Sequence, residues 1–208
     1  MRRPSELVHD LASRVVSRAR SSLGIPPRPQ LSRPELAFVV MVGDDAHNFM
    51  TELQVEILQR HGVNEGLIAP PHITLKLGFK TPDLAAFAGY LDEVARTTTP
   101  FPIIMRGIGA FPDGVIFLDV EPTEELDRLR RRIVRELSER FQIEPRSLEG
   151  DQFRFHATLA YRLPAKGFDE ELARLSQLTP SFRFQAQTLA MFCHTGKHWT
   201  TYRRAALR

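Results

Sequence analysis

Two tetrads of the sequence share one pattern, "HITL" at residues 72–75 and "HATL" at residues 156–159, 84 positions apart in a chain of 208 residues. Each sits in a run that reads as an apolar strand, "PPHITLKLGF" in the first case and "FRFHATLAYRL" in the second. A further correspondence accompanies them. Phe101, Ile103, Met105, Ile108 and Phe111 recur as Phe182, Phe184, Ala186, Leu189 and Phe192 at an offset of 81. The difference of three residues between the two offsets is what a short loop insertion produces. Repetition of this kind marks one supersecondary unit used twice, so the chain is expected to form two pseudo-symmetric lobes.

The elements around the tetrads fit that expectation. A strand at 35–42 precedes a helix at 45–62, and the strand at 72–79 precedes a helix at 82–96, with Thr81 as its cap and Pro82 at its first position. "FPIIMRGIGAF" and "VIFLDVEP" read as two strands joined by the turn "PDG". Leu126, Leu129, Ile133 and Leu137 recur at helical spacing within 123–141. A strand at 153–163, a helix near 168–177 and two closing strands, "FRFQAQTLAMF" and "HWTTYRRAAL", complete the series. The expected fold class is α+β, two lobes that are each an antiparallel sheet flanked by helices, with a cleft between them. Residues 1–34 read as a separate appendage. The spacing predicts a helix capped at Ser5, carrying Leu7, Leu11 and Val15 and ending at Gly24, with "IPPRPQLSRP" expected as an extended linker to a domain at 35–208.

Composition narrows the partners. A net charge of +3 favours an anionic ligand without reaching the excess of a histone-like protein. The single cysteine, Cys193, allows neither an internal disulfide nor a cysteine-based metal cluster, which fits a reducing, cytoplasmic setting. The longest apolar run, "LAFVVMV", is far below the roughly 20 residues that span a bilayer, and no secretory h-region opens the chain. A soluble monomer without a membrane partner is expected.

The spacing inside the tetrads indicates chemistry. Side chains alternate faces along a strand, so His72, Thr74 and Lys76 share one face of the first strand and Arg154, His156, Thr158 and Arg162 share one face of the second. Such a polar row is costly to bury unless it meets water or a ligand. A cleft between the lobes resolves that cost and holds two imidazoles, two hydroxyls and up to three cations, an inventory suited to a phosphate. One neutral histidine accepts a proton while a protonated one donates to a leaving oxygen, and the hydroxyls steady the charge on phosphorus-bound oxygens. No cofactor or metal is required, and the row as counted along the strands contains no carboxylate. Phe111, just before the "PDG" turn, is a further candidate, able to stack on a base or simply to pack. His194 and His198, in "HTGKHW", read as surface residues of a hairpin turn, and the arginine run 130–132 as a solvated helix face.

Paired tetrads of this form in a chain of this size resemble the two-histidine phosphoesterase superfamily, in particular the bacterial 2'-5' RNA ligase and cyclic phosphodiesterase group. The resemblance covers about residues 35–206. It rests on "HITL" and "HATL", with support from "PPHITLKLGF" and "GAFPDGVIFLDV"; where the second motif of that family often begins Pro-His, this chain has Phe155. The resemblance implies a hydrolase of RNA processing that acts on 2',3'-cyclic phosphates or 2'-5' linkages at RNA ends or on nucleotides. His72, Thr74, His156 and Thr158 are the implied catalytic residues. Lys76, Arg154, Arg162 and Phe111 are secondary candidates for substrate binding. RNA ligation in the reverse direction, or nucleotide binding without turnover, would use the same groups.

Overall fold

A computed structural model describes residues 34–208 of the chain. The appendage expected at 1–34 therefore lies almost entirely outside the described residues. Eight strands and four helices follow in the order β1 (Glu35–Met41), α1 (Asp44–His61), β2 (His72–Lys80), α2 (Leu84–Arg96), β3 (Phe101–Phe111), β4 (Val115–Val120), α3 (Glu124–Phe141), β5 (His156–Ala160), α4 (Ala165–Leu175), β6 (Ser181–Ala186), β7 (Thr188–His194) and β8 (Trp199–Ala206). They build two antiparallel four-stranded sheets, β2-β1-β7-β8 and β5-β4-β3-β6. The α+β reading with two related halves holds.

The repeat is visible in the strand pairing itself. Phe101 lies opposite Ala186, Ile103 opposite Phe184 and Met105 opposite Phe182. Because Phe101, Ile103 and Met105 are the repeat equivalents of Phe182, Phe184 and Ala186, the two copies pair with each other about a local twofold at Ile103 and Phe184. Each copy then continues into a different partnership. β3 passes Gly107, whose φ of 72 suits a glycine, and joins β4; past Gln187 the second copy resumes as β7 beside β1. The run read from sequence as one strand, "FRFQAQTLAMF", is thus two.

Local chemistry explains where the helices begin and end. Thr123 caps α3 by accepting a hydrogen bond from the Leu126 amide, Glu124, Glu125 and Asp127 favour its positive end, and Leu126, Leu129, Ile133 and Leu137 are buried. Gly62, with φ of 68, closes α1 by donating its amide to Leu58. α2 begins at Leu84 rather than Pro82, because the Asp83 carboxylate accepts from the Ala86 amide, while the Thr81 hydroxyl accepts from the Asp83 amide just before it. Apolar faces of all four helices meet one core with Phe38, Ile73, Leu75, Ile103, Ile116 and Leu159. On the other face of the first sheet Ala37 and Val39 of β1 and Ala190 and Phe192 of β7 form a smaller buried cluster, with Met41, Ala69 and Trp199 packed against it.

Candidate active site

His72 and His156 open β2 and β5, and the backbone holds them in the same way. His72 Nδ1 donates to the carbonyl of Pro70 at 2.7 Å, and His156 Nδ1 donates to the carbonyl of Arg154 at 2.8 Å. A carbonyl can only accept, so Nδ1 carries a hydrogen in both rings and Nε2 is left as the nitrogen that gains or loses a proton. Phe192 meets the His72 ring edge-on at 4.9 Å, and Phe111 meets the His156 ring edge-on at 5.0 Å, with Phe117 at 5.1 Å. Phe111 and Phe192 are repeat equivalents. The Phe111 ring therefore packs against an imidazole as Phe192 does, in keeping with the packing reading of this residue.

Burial dominates the electrostatics of both rings. It pushes His72 down to about 4, against the opposing pull of the Pro70 hydrogen bond, and positive charge on His156 lowers it further. His72 thus senses the charge of His156, as expected for strands that pack side by side. His156 is also lowered by burial; the Arg154 carbonyl bond works the other way, the Arg154 guanidinium adds to the lowering, and the carboxylates of Asp119 and Asp113 counter it.

Thr74 and Thr158 follow two residues after the histidines, half-buried on the same faces, opposite Val39 and Phe117. Among the described residues neither hydroxyl has a hydrogen-bond partner. Beside Thr158, the backbone is held by Gln54, whose Nε2 donates to the Thr158 carbonyl at 3.0 Å.

One participant was not visible in the strand count. Asp119 of β4 lies directly opposite His156, so a carboxylate does stand in the row. It binds Arg154 through two hydrogen bonds, 2.7 Å from Nη2 and 3.2 Å from Nε, and holds the guanidinium 4.9 Å from the centre of the Phe117 ring. Gly109, opposite Phe117, makes room for this arrangement, since a Cβ there would fall 2.4 Å from the Phe117 ring. A groove of about 440 Å³ extends from here, lined by Arg154, Asp119, Phe153 and the Arg106 and Glu121 pair. "VIFLDV" signalled a strand, but only the pairing register puts its aspartate beside the histidine.

Two expected members of the row are elsewhere. β2 slips in register twice against β1, with Lys76 opposite Phe38 but Thr74 opposite Val39. The extra residue reverses the alternation, so Lys76 turns inward, fully buried, with Nζ 2.6 Å from Glu149. β5 ends at Ala160, and Arg162, at φ of 63, lies past it with its guanidinium over the Tyr161 ring. Parity along the strand does not extend that far. Arg130, read as part of a solvated face, is buried as well. Among the described residues, no three His, Cys, Asp or Glu side chains converge as metal ligands, and no helix is long and apolar enough to cross a membrane.

Comparison with known proteins agrees with this geometry. TT0787 of Thermus thermophilus superimposes with a TM-score of 0.57 at 19% identity, over 84% of this chain and 98% of that one. Escherichia coli LigT complexed with 3'-AMP gives 0.57 at 16% over the same shares. A Bacillus thuringiensis (strain Al Hakam) protein named "Putative phosphoesterase" is 37% identical over 70 residues, 32% of this chain. This chain spans about two fifths of the length of that relative and of the Bacillus cereus relatives it matches equally well. A family model described as the 2'-5' RNA ligase superfamily matches residues 42–198, a span that includes both histidine tetrads. The chain belongs to the 2'-5' RNA ligase superfamily, a group of two-histidine phosphoesterases.

Proposed function

We propose that the protein is a phosphodiesterase that opens 2',3'-cyclic phosphates on nucleotides or RNA ends by paired-histidine acid and base catalysis. The observation that supports this reading is the matched anchoring of His72 and His156 through Nδ1, which leaves Nε2 of each ring as the nitrogen that exchanges a proton. His72, held neutral, takes a proton from water as the water oxygen bonds to phosphorus. His156, with Asp119 and Asp113 supporting its charged form, gives its Nε2 proton to the ribose oxygen as the bond from that oxygen to phosphorus breaks. The product is a monophosphate ester, and solvent restores both histidines. Thr74 and Thr158 donate to the non-bridging oxygens, and Arg154, presented by Asp119, adds charge beside His156.

The E. coli LigT structure complexed with 3'-AMP supports the reading, since a nucleoside monophosphate is what such an opening releases. The residues of this mechanism need no metal. The test is a product assay on nucleoside 2',3'-cyclic phosphates that resolves the 2'- from the 3'-monophosphate, run with and without EDTA. One monophosphate isomer, formed equally in both conditions, is the expected result. Absence of turnover, or turnover lost to EDTA and restored by a divalent ion, contradicts the mechanism.

A further inference from the structure

We infer that Lys76 and Glu149 form a positioning brace that fixes the spacing of the two histidines, so that the chemical step depends on a pair that touches no substrate. This rests on the two-histidine reading above. Lys76 is on the His72 strand, and Glu149 is in the short 3-10 turn Ser147–Glu149, within the connection that leads from α3 to the His156 strand. Both side chains are fully buried. Glu149 Oε2 accepts from Lys76 Nζ at 2.6 Å and from the Arg146 amide at 2.7 Å, and Oε1 accepts from the Leu77 amide at 2.7 Å. Leu77 lies inside a register slip of β2, outside the paired residues of the ladder, which frees its amide for the carboxylate.

The contact continues to the second histidine. Arg130 donates to the Glu149 carbonyl and, at 3.4 Å, to that of Gly150, and its guanidinium lies 4.0 Å from the centre of the Phe153 ring, three residues before His156. The β2 bulge, Glu149, Arg130, Phe153 and the start of β5 form one continuous path, buried at Lys76, Glu149 and Arg130 and partly buried at Phe153. Its counterpart on the other side is Gln54 of α1, which holds β5 through the Thr158 carbonyl. On each side, a polar side chain from one half of the repeat grips the histidine strand of the other half.

A buried ion pair contributes little net stability relative to apolar side chains of the same volume, so stability is a weak reason for this one. Its directionality is a better reason. The contacts of one carboxylate lock β2 to the segment entering β5, and misplacing reacting groups by about 1 Å costs on the order of a hundredfold in rate.

The test uses two variants. Lys76→Met with Glu149→Gln removes both charges together and keeps an amide oxygen for Leu77. Glu149→Asp keeps both charges and draws the anchor back by one methylene, so it decides the matter if the double variant does not fold. The measurements are kcat and KM on 2',3'-cyclic AMP, thermal unfolding, and NMR titration of His72. The expected result is kcat lower by roughly ten- to a hundredfold with KM little changed in the folded protein, and a His72 titration that moves up from about 4 toward the ordinary 6.5 as the site loosens. Native kcat together with a native His72 titration overturns the proposal, as does a kcat loss that merely tracks the unfolded fraction. The titration requires no turnover. A native protein inactive on cyclic phosphates would thus sink the proposed function while the brace remained measurable.

Discussion

Asp119 and His156 face each other across β4 and β5, whereas the strand neighbour opposite His72 is Met41. The two halves, alike in how they anchor their imidazoles, thus differ in what stands beside each one. A carboxylate supports a protonated ring and a thioether does not, which breaks the symmetry between acid and base. Asp119→Asn should lower the His156 titration further and release Arg154. Turnover at pH 7 should fall severalfold and recover in part at lower pH, where the weaker base regains its proton. Assays at a series of pH values check this; an equal loss at every pH would leave Asp119 as an anchor for Arg154 only.

Both histidines titrate below the ordinary 6.5 in the free protein. The profile of kcat/KM should therefore be bell-shaped with both limbs on the acid side of that value, and an anionic phosphodiester, by favouring the imidazolium, should carry the limbs of kcat upward. A rate that rises steadily from about pH 5 to pH 9 would contradict paired acid and base roles.

The depressed His72 value has a consequence for folding. Above 6.5 the ring is neutral in folded and unfolded chains alike and contributes no pH dependence. Between 6.5 and about 4 the unfolded chain binds a proton that the folded one refuses, so stability is lost as pH falls through that window. His72→Gln should flatten this part of the stability curve. Denaturant midpoints at pH 7 and about pH 4.5 measure the effect, and an unchanged slope in the variant would place the loss elsewhere.

Thr74→Val and Thr158→Val keep the β-branched shape that a strand accommodates and remove only the hydroxyl. Each should lower kcat by roughly ten- to a thousandfold, the range for losing one preorganised donor. Serine at either position should restore most of the rate. Valine variants with native kcat on both a cyclic nucleotide and a short RNA ending in a cyclic phosphate would make the threonines packing residues.

What was legible in the sequence follows from where the information is local. The tetrads, the offset that equates Phe111 with Phe192, and the apolar stripe of α3 depend on residues within a few turns or on direct repetition, and all appear in the structure. Misreadings arose where a distant partner decides. The alternation that placed Lys76 in the row was reversed by slips against β1, and Arg162 lost its face because β5 stops two residues earlier. Asp119 carries no local signal of its role, because only the pairing of β4 with β5 reveals its neighbour. Arg130 looked solvated on its own helix, yet it is buried against the turn that carries Glu149.

Single-turnover and steady-state rates of His72→Ala and His156→Ala on a 2',3'-cyclic nucleotide decide whether both imidazoles do chemistry. Each variant should fold as the native protein does and lose at least roughly a hundredfold in kcat, as removal of a general acid or base does. Either variant turning over at a near-native rate would contradict a chemical role for both imidazoles.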